Sequence, residues 1–367
     1  MYLAIDTEFV WERTYYANLG LIQVGFSKEF DRNRVPDSPP VVLRFKPETA
    51  EQQSVRLIDP LKGGRKPLAE VLADASVIKI LHDSGQDLQH LHRWCGALPK
   101  NIFDTRVAAG FCGMSSTLSL RQLLIDTVAV ELPKTETRTN WLRRPLSEAQ
   151  LIYAADDVAY MGEVMMLLKD RARALGNEAW MMEEMEKLDN PALYTENGVG
   201  DAWKRMKVPV TAFKTDRQRV RLQALATWRE ETAKERNLPR SWVVGDKAIV
   251  AAALNPPTPE TLPPRTVPKA FEKMFFAVLE ASEYLPEDDA PVFTPTASTK
   301  HKEQATAVMK VLAEVAKACH VDAALFGSRA DITAFCVDPE NLEHPLNQGW
   351  RREAVGDSGL IKVIGGR

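Results

Sequence analysis

This 367-residue chain has few cysteines and no long hydrophobic run. Its 4 cysteines lie far apart and form no CxxC pair, which argues against a disulfide framework and against a zinc site. No apolar run approaches the ~18 residues of a membrane span, and no charged segment leads into an apolar one as in a signal peptide. We therefore predict a cytoplasmic protein with reduced thiols and no membrane partner.

An excess of charge of one sign is also missing. The formal net charge is −3 at pH 7, so the composition as a whole does not indicate a nucleic-acid partner. The charge is uneven along the chain, because residues 203–240 hold 11 Lys and Arg against 4 Asp and Glu, a net charge of +7. This stretch fits a surface that follows phosphate groups, and it fits a solvated helix face equally well.

What the chain does contain is a change of pattern near residue 190. Up to that point short apolar runs alternate with helical patterns, which predicts a mixed sheet flanked by helices. Beyond residue 201 the pattern is helical, with proline-rich breaks at 255–268 and 285–299. We predict an α/β domain at 1–190 and two small helical domains at 201–295 and 296–367. The predicted strands are 2–6, 19–26, 41–45 and 77–82, and the longest predicted helix is 148–175.

That long predicted helix carries two adjacent carboxylates in the stretch YAADDVAY. At about 100° per residue, Asp157 falls on the apolar arc that contains Tyr153 and Val164. Asp156 falls beside Glu163 on the polar edge, which predicts an ordinary solvated carboxylate. A carboxylate that faces a core costs several kcal/mol unless it is paired or bound to a cation, so Asp157 is the candidate functional residue.

Other acidic residues could join Asp157. In AIDTEF, Asp6 and Glu8 lie two apart on a predicted strand and therefore share a face. The alternative is a strand end that frays into solvent. Asp87 follows another predicted strand and lies in the first turn of a helix, where spacing alone favours a structural acid that stabilises the helix dipole.

Together the four carboxylates form a candidate metal site. Oxygen-only ligands suit Mg²⁺ or Mn²⁺, and two such ions can act on the attacking and leaving oxygens of a phosphodiester. Tyr153 lies one turn before Asp157 and would be neutral with an ordinary pKa near ~10. We therefore assign it to orienting the attacking water.

These motifs occur in a specific order: DTEFVWERTYYANLGLIQVG, LIDPL, LHDSGQDLQHL, DTRVAAGFCG and KTETRTNWLRRPLSEAQLIYAADDVAY. In that order they resemble the ribonuclease D family, of the DEDDy branch of 3′–5′ exonucleases, over nearly the whole chain. The chain departs from the family pattern in two places. Met1 lies almost on the first strand, where the family usually has a preceding segment, and residues 26–61 are longer than expected and are predicted to be a hairpin extension or a loop.

The resemblance implies a ribonuclease H-like exonuclease domain followed by two HRDC-type helical domains, the second less regular. It implies metal ligation by two divalent cations, Mg²⁺ or Mn²⁺. It also decides between the two roles of Asp87 in favour of the metal site. The implied catalytic residues are Asp6, Glu8, Asp87, Asp157 and Tyr153.

Residues that bind the substrate are harder to predict. The resemblance implies that Gln23 and His82 contact the terminal nucleotide, and Lys134 and Arg138 belong to a basic cluster, with Arg143 and Arg144, near the predicted catalytic helix. Aromatic residues could stack on bases or simply pack in the core. These are Trp11, Tyr15, Tyr16 and Trp141.

The implied function is a monomeric 3′–5′ exoribonuclease that trims RNA with a free 3′ end, precursor tRNA above all, and releases 5′-mononucleotides. Two alternatives stay open on the sequence. A proofreading-type DNA exonuclease would have the same site, and only selection of the 2′-hydroxyl would separate it from a ribonuclease. A catalytically inert RNA-binding protein would have no reason to keep costly like charges together.

Overall fold

The computed structural model describes residues 1–31, 34–35, 46–133, 136, 139–195, 198–293, 297–356 and 360. The strand predicted at 41–45 and part of the insertion at 26–61 lie outside these residues, as do Lys134 and Arg138. Contacts divide the chain into two compact units. The first comprises Met1–Val10, Leu19–Thr195 and Ala297–Arg367, and the second comprises Trp11–Asn18 and Glu196–Thr296.

The first unit is built on a mixed sheet. Five strands of the described residues form it in the order β3-β2-β1-β4-β5, with β4 parallel to β1 and to β5, and β2 antiparallel to β3. β1 therefore lies in the middle of the sheet, and its residues Leu3, Ala4 and Ile5 are fully buried. The predicted mixed sheet is confirmed. The strands are β1 (Tyr2–Val10), β2 (Asn18–Phe26), β3 (Val55–Ile58), β4 (Ile78–Leu81) and β5 (Ile102–Asp104).

Helices account for most of the remaining described chain. Several begin at side-chain caps: Ser147 and Gln150 form a capping box at the start of α5, and Asp104 accepts the backbone N–H groups of the first turn of α3. The helices are α1 (Arg65–Ala73), α2 (Gly85–Cys95), α3 (Thr105–Gly110), α4 (Leu120–Val128), α5 (Glu148–Ala159), α6 (Met161–Leu175), α7 (Glu178–Lys187), α8 (Asp216–Glu235), α9 (Arg240–Val243), α10 (Asp246–Leu254), α11 (Lys269–Ser282), α12 (Thr299–Cys319), α13 (Arg329–Val337) and α14 (Gly349–Val355).

The long helix predicted at 148–175 is interrupted. Tyr160 ends α5 and begins α6, with φ −101° and ψ −6°. Just beyond the break, Gly162 lies so close to the ring of Tyr2 that a side chain at that position would overlap it. Because α5 and α6 are separate helices, a helical wheel drawn through both does not assign their faces correctly.

The C-terminal helices α12, α13 and α14 share a core with helices of the predicted α/β domain. Trp350 is fully buried, and its ring centroid lies 4.9 Å from that of Phe111. The Trp350 indole N–H donates to Glu184 at 2.8 Å, and Arg351 forms a salt bridge with the same carboxylate at 2.8 Å. Contacts therefore group these helices with the first unit, whereas the domain predicted at 296–367 stays a prediction.

The second unit packs α8 to α11 around Leu222, Leu225 and Phe275, all fully buried. The segment Trp11–Asn18, which follows β1 in the chain, folds with these helices. Its Tyr15 hydroxyl donates to the buried carboxylate of Glu230 at 2.5 Å. In the part of the chain that the structure describes, none of the helices has the length and apolarity needed to cross a bilayer.

Glu230 is the centre of a charged cluster within the second unit. Arg205 and Arg240 form salt bridges with it at 2.5 and 2.6 Å. At least seven of the 11 basic residues in the predicted phosphate-binding stretch form a salt bridge with a carboxylate, which offsets much of the positive charge. These seven are Lys204, Arg205, Arg217, Arg219, Arg221, Arg229 and Arg240.

Candidate active site

Three carboxylates meet where the middle of the sheet faces α5. One oxygen from each of Asp6, Glu8 and Asp157 lies within 4.8 Å of the others. Asp6 and Glu8 are half-buried and the intervening Thr7 is buried, as the alternation of a strand requires. Because β1 continues to Val10, the strand does not fray at these residues.

A glycine of β2 allows α5 to bring Asp157 this close. A Cβ built on Gly25 would lie 2.8 Å from the backbone carbonyl oxygen of Val158, which directly follows Asp157. Real Cβ atoms do not make contacts that short, so the helix backbone rests on a position without a side chain. The absence of a side chain at Gly25 thus sets the distance between α5 and β2.

The electrostatics of the three carboxylates favour a bound cation. Burial, then the charge of Asp157, raises the pKa of Asp6 well above its usual range. Burial, then the charge of Asp6, raises the pKa of Glu8 to about 10, and burial, then Asp156, raises the pKa of Asp157 to about 8. None of the three forms a salt bridge with a described residue. Since their donors are all oxygens, the group fits a hard divalent cation.

Asp87 lies beside this group but not within it. It occupies the first turn of α2, as predicted, and is 7% exposed. The hydroxyl of Thr7 donates a hydrogen bond to its carboxylate. Burial, then the charge of Asp6, raises the pKa of Asp87 well above its usual value. The structure therefore brings Asp87 near Asp6, while the three carboxylates within 4.8 Å of one another do not include it.

Tyr153 lies one turn before Asp157 on α5, where its hydroxyl stays protonated. Burial, followed by the charges of Asp157, Glu8 and Asp6, raises its pKa above the ordinary value. Its ring centroid lies 6.1 Å from that of Trp141. A neutral phenol in these surroundings can donate a hydrogen bond but is a poor base.

The prediction that Asp156 is solvated was wrong. Asp156 is 9% exposed and accepts a hydrogen bond from Gln52 Nε2 at 2.7 Å. Gln52 is buried as well, and its Oε1 accepts the backbone N–H groups of Glu48 and Thr49 at 2.8 and 3.1 Å. The angular argument assumed one straight helix, and the break at Tyr160 removes that premise. Gln52 was missed because nothing in its local sequence points to a partner 104 residues away.

Gln23 and His82, the two residues predicted to contact the terminal nucleotide, both contact other groups of the protein. Gln23 is fully buried on β2, with Nε2 3.5 Å from Asp6 Oδ2, so it faces the carboxylates from inside the protein. Both ring nitrogens of His82 are engaged within the protein, by Thr105 Oγ1 at 2.9 Å and the carbonyl of Leu118 at 3.0 Å. His82 thus has no ring nitrogen left for a ligand, whereas Gln23 Oε1 is buried and has no hydrogen-bond partner among the described residues. The substrate roles of both residues stay predictions.

The aromatic candidates divide into packed and exposed residues. Trp141 is 2% exposed and packs against Gly20, where a Cβ would lie 2.7 Å from the Trp141 carbonyl oxygen. Tyr15 is held by Glu230. Trp11 is 55% exposed, and its indole N–H donates to the Thr14 carbonyl at 3.1 Å. For Trp141 and Tyr15, packing explains the residue without a base.

Comparison with known proteins identifies two regions. Residues 1–172 match the 3′–5′ exonuclease family, and residues 218–262 match the HRDC domain. Ribonuclease D of Desulfotalea psychrophila is 42% identical over 71% of this chain and 63% of that protein. Ribonuclease D of Granulibacter bethesdensis is 30% identical over 98% of this chain and 86% of that protein. The chain belongs to the ribonuclease D family.

Solved structures agree with this assignment. The crystal structure of Escherichia coli RNase D, described as an exoribonuclease involved in structured RNA processing, superposes with a TM-score of 0.81 at 29% identity. The match covers 99% of this chain and 93% of that one. The predicted fold class and the predicted enzyme class, a 3′–5′ exoribonuclease, are confirmed. For a ribonuclease D, a group of three carboxylates also indicates a divalent metal cofactor.

The HRDC match falls within the second unit of this ribonuclease D. Residues 218–262 include all of α9 and α10 and most of α8. The match therefore lies inside the helical domain predicted at 201–295. The limits of all three predicted domains stay predictions.

Proposed function

We propose that this ribonuclease D hydrolyses RNA from its 3′ end by two-metal-ion catalysis and releases 5′-mononucleotides. The observation that carries the proposal is the group formed by Asp6, Glu8 and Asp157. Three half-buried carboxylates within 4.8 Å of one another, with raised pKa values and no salt bridge to a described residue, are unfavourable in the absence of a cation.

The residues of the chain have separate roles in this proposal. Asp6, Glu8 and Asp157 would hold the cations, and Asp87, at the edge of the group, would complete the acidic site. Tyr153 keeps its proton and donates a hydrogen bond that orients the attacking water. Bound Mg²⁺ or Mn²⁺ would supply charge neutralisation at the attacking and leaving oxygens of the phosphodiester.

The natural substrate and setting are also part of the proposal. We assign precursor tRNA as the substrate, which is consistent with the description of E. coli RNase D as an enzyme of structured RNA processing. We expect a monomer, because the chain carries its own HRDC region for binding nucleic acid. A cytoplasmic location is consistent with its four free cysteines.

The test is exonuclease digestion with a matched pair of variants. Purified protein is incubated with a 5′-labelled precursor tRNA and a matched single-stranded DNA, in Mg²⁺, in Mn²⁺ and in EDTA. We expect shortening of the RNA from its 3′ end, abolished by EDTA. Asp157→Asn should lower the rate by more than ~100-fold, since loss of a ligand exceeds the ~10–100-fold cost of losing a residue that only supports one.

Asp156→Asn is the control, because it neutralises the adjacent carboxylate of the same helix while keeping an oxygen that can accept from Gln52. We expect it to retain activity within a few-fold. Equal loss in both variants would remove the special role of Asp157. Preferential shortening of the DNA would favour a proofreading-type exonuclease. RNA binding without cleavage in either metal would favour an inert binding protein.

A further inference from the structure

Thr7 links the strand that carries Asp6 and Glu8 to the helix that carries Asp87. Thr7 is 6% exposed and Asp87 is 7% exposed. The Thr7 hydroxyl donates to the Asp87 carboxylate, across 80 residues of sequence. It is the one hydrogen-bond donor to Asp87 that we find among the described residues.

Helix capping does not account for the position of Asp87. Ser84 occupies the N-cap position of α2 but makes no side-chain capping bond, and Asp87 makes no hydrogen bond back to the start of its own helix. A buried carboxylate can accept about four hydrogen bonds, and here one is supplied. The Thr7 hydroxyl therefore contacts a buried carboxylate that accepts no other hydrogen bond from the described residues.

We infer that Thr7 is a positioning residue, whose hydroxyl holds the Asp87 carboxylate in the orientation needed for cation binding. The inference rests on the proposed function, because it requires that Asp87 serve the metal site. Hydrogen bonds that orient a ligating group are charge-assisted and directional, and their loss typically lowers metal affinity or activity by ~10–100-fold. Thr7 also lies between Asp6 and Glu8, so one strand supplies two ligands and the support of a third.

Threonine offers a close pair of substitutions. Thr7→Val keeps the branched shape and removes the hydroxyl, whereas Thr7→Ser keeps the hydroxyl and removes a methyl group. Mn²⁺ binding to the full-length protein is measured by calorimetry, and RNA hydrolysis is measured across a Mn²⁺ titration. We expect Thr7→Val to weaken Mn²⁺ binding by ~10–100-fold, with activity largely restored at high Mn²⁺. Thr7→Ser should stay within a few-fold of the wild type.

A double mutant separates positioning from simple packing. In an Asp87→Asn background, Thr7→Val should have little further effect on Mn²⁺ affinity, because its target carboxylate is gone. Undiminished Mn²⁺ affinity in Thr7→Val, or an equal loss in both backgrounds, would overturn the inference. Thermal unfolding measures separately whether each variant folds. If Thr7→Val does not fold, Thr7→Ser becomes the test: a loss of Mn²⁺ affinity as large as that in Asp87→Asn would also overturn the inference. Failure of the wild type to bind Mn²⁺ or cleave RNA would instead refute the proposed function.

Discussion

Gly25 sets the distance between the sheet and the helix that carries Asp157, and Gly25→Ala tests that directly. A Cβ at this position would lie 2.8 Å from the carbonyl oxygen of Val158, whereas ordinary contacts begin at 3.4 Å. The obstacle is backbone, so it cannot rotate out of the way as a side chain could. To accept alanine, α5 must therefore move away from β2 by about 0.6 Å, the difference between these two distances.

The displacement should affect both catalysis and stability. A misplacement of ~1 Å at an active site can cost ~100-fold in rate. If the logarithm of the rate falls in proportion to the displacement, a shift of about 0.6 Å should lower kcat by about 15-fold. Overpacking of this kind also costs about 1–3 kcal/mol of unfolding free energy. Because Asp157 moves relative to Asp6 and Glu8, the affinity for Mn²⁺ should fall as well.

The assay measures kcat on a 3′-extended RNA at saturating Mn²⁺, together with the free energy of unfolding. Gly85→Ala is the control, since a Cβ there meets nothing within 4 Å and the residue begins α2 without a positive φ. We expect that variant to be as stable as the wild type or more stable by about 0.4–1 kcal/mol. If Gly25→Ala keeps wild-type kcat and stability, the close contact does not position Asp157, and the reasoning is refuted.

Two further predictions concern the carboxylates. Asp156→Leu leaves Gln52 Nε2 buried without an acceptor and should lower the free energy of unfolding by about 1–3 kcal/mol. Asp156→Asn keeps an acceptor oxygen and should cost less than half of that. Equal losses in the two variants, measured by denaturant unfolding, would contradict a stabilising role of the hydrogen bond. Because the pKa values of Asp6, Glu8 and Asp157 are raised, the metal-free folded state binds more protons than the unfolded state, so its stability should fall as pH rises from about 5 to 8. Mn²⁺ should reverse that fall, and Asp157→Asn should make it shallower. The lowered pKa values of His82 and His90 act in the opposite direction in both proteins, so the comparison between them is the test: the same slope of thermal midpoint against pH in EDTA for Asp157→Asn and the wild type would show that the pKa of Asp157 is not raised.

The local part of the site could be predicted from the sequence. Asp6 and Glu8 share a face because the two-residue period of a strand is independent of the rest of the fold. The first-turn position of Asp87 also followed from local pattern. Its hydrogen bond to Thr7 did not, because that contact depends on how a helix packs against a strand 80 residues earlier.

Packing between distant segments explains why the prediction for Asp156 failed and why the sequence could not decide the role of Trp141. Asp156 was placed by a helical wheel, which holds only while the helix is straight, and neither proline nor a polar stretch signals the break at Tyr160. The sequence left Trp141 open between base stacking and core packing, and the structure buries it where Gly20 leaves room for its backbone. In both cases the deciding neighbour is remote in the sequence, so periodicity contains no information about it.

The folding of Trp11–Asn18 with the second unit has a consequence for the evolution of this chain. A module joined to an enzyme at a single junction can be gained, lost or exchanged by recombination at that junction. Here the second unit includes Tyr15, which lies between β1 and β2 in the sequence. Its hydroxyl donates a hydrogen bond to Glu230. A crossover near residue 195 would separate these partners and leave Glu230 buried without the phenol. We therefore expect Tyr15 and Glu230 to be inherited together, and chimaeras that replace everything after residue 195 to need a matching change in the first twenty codons.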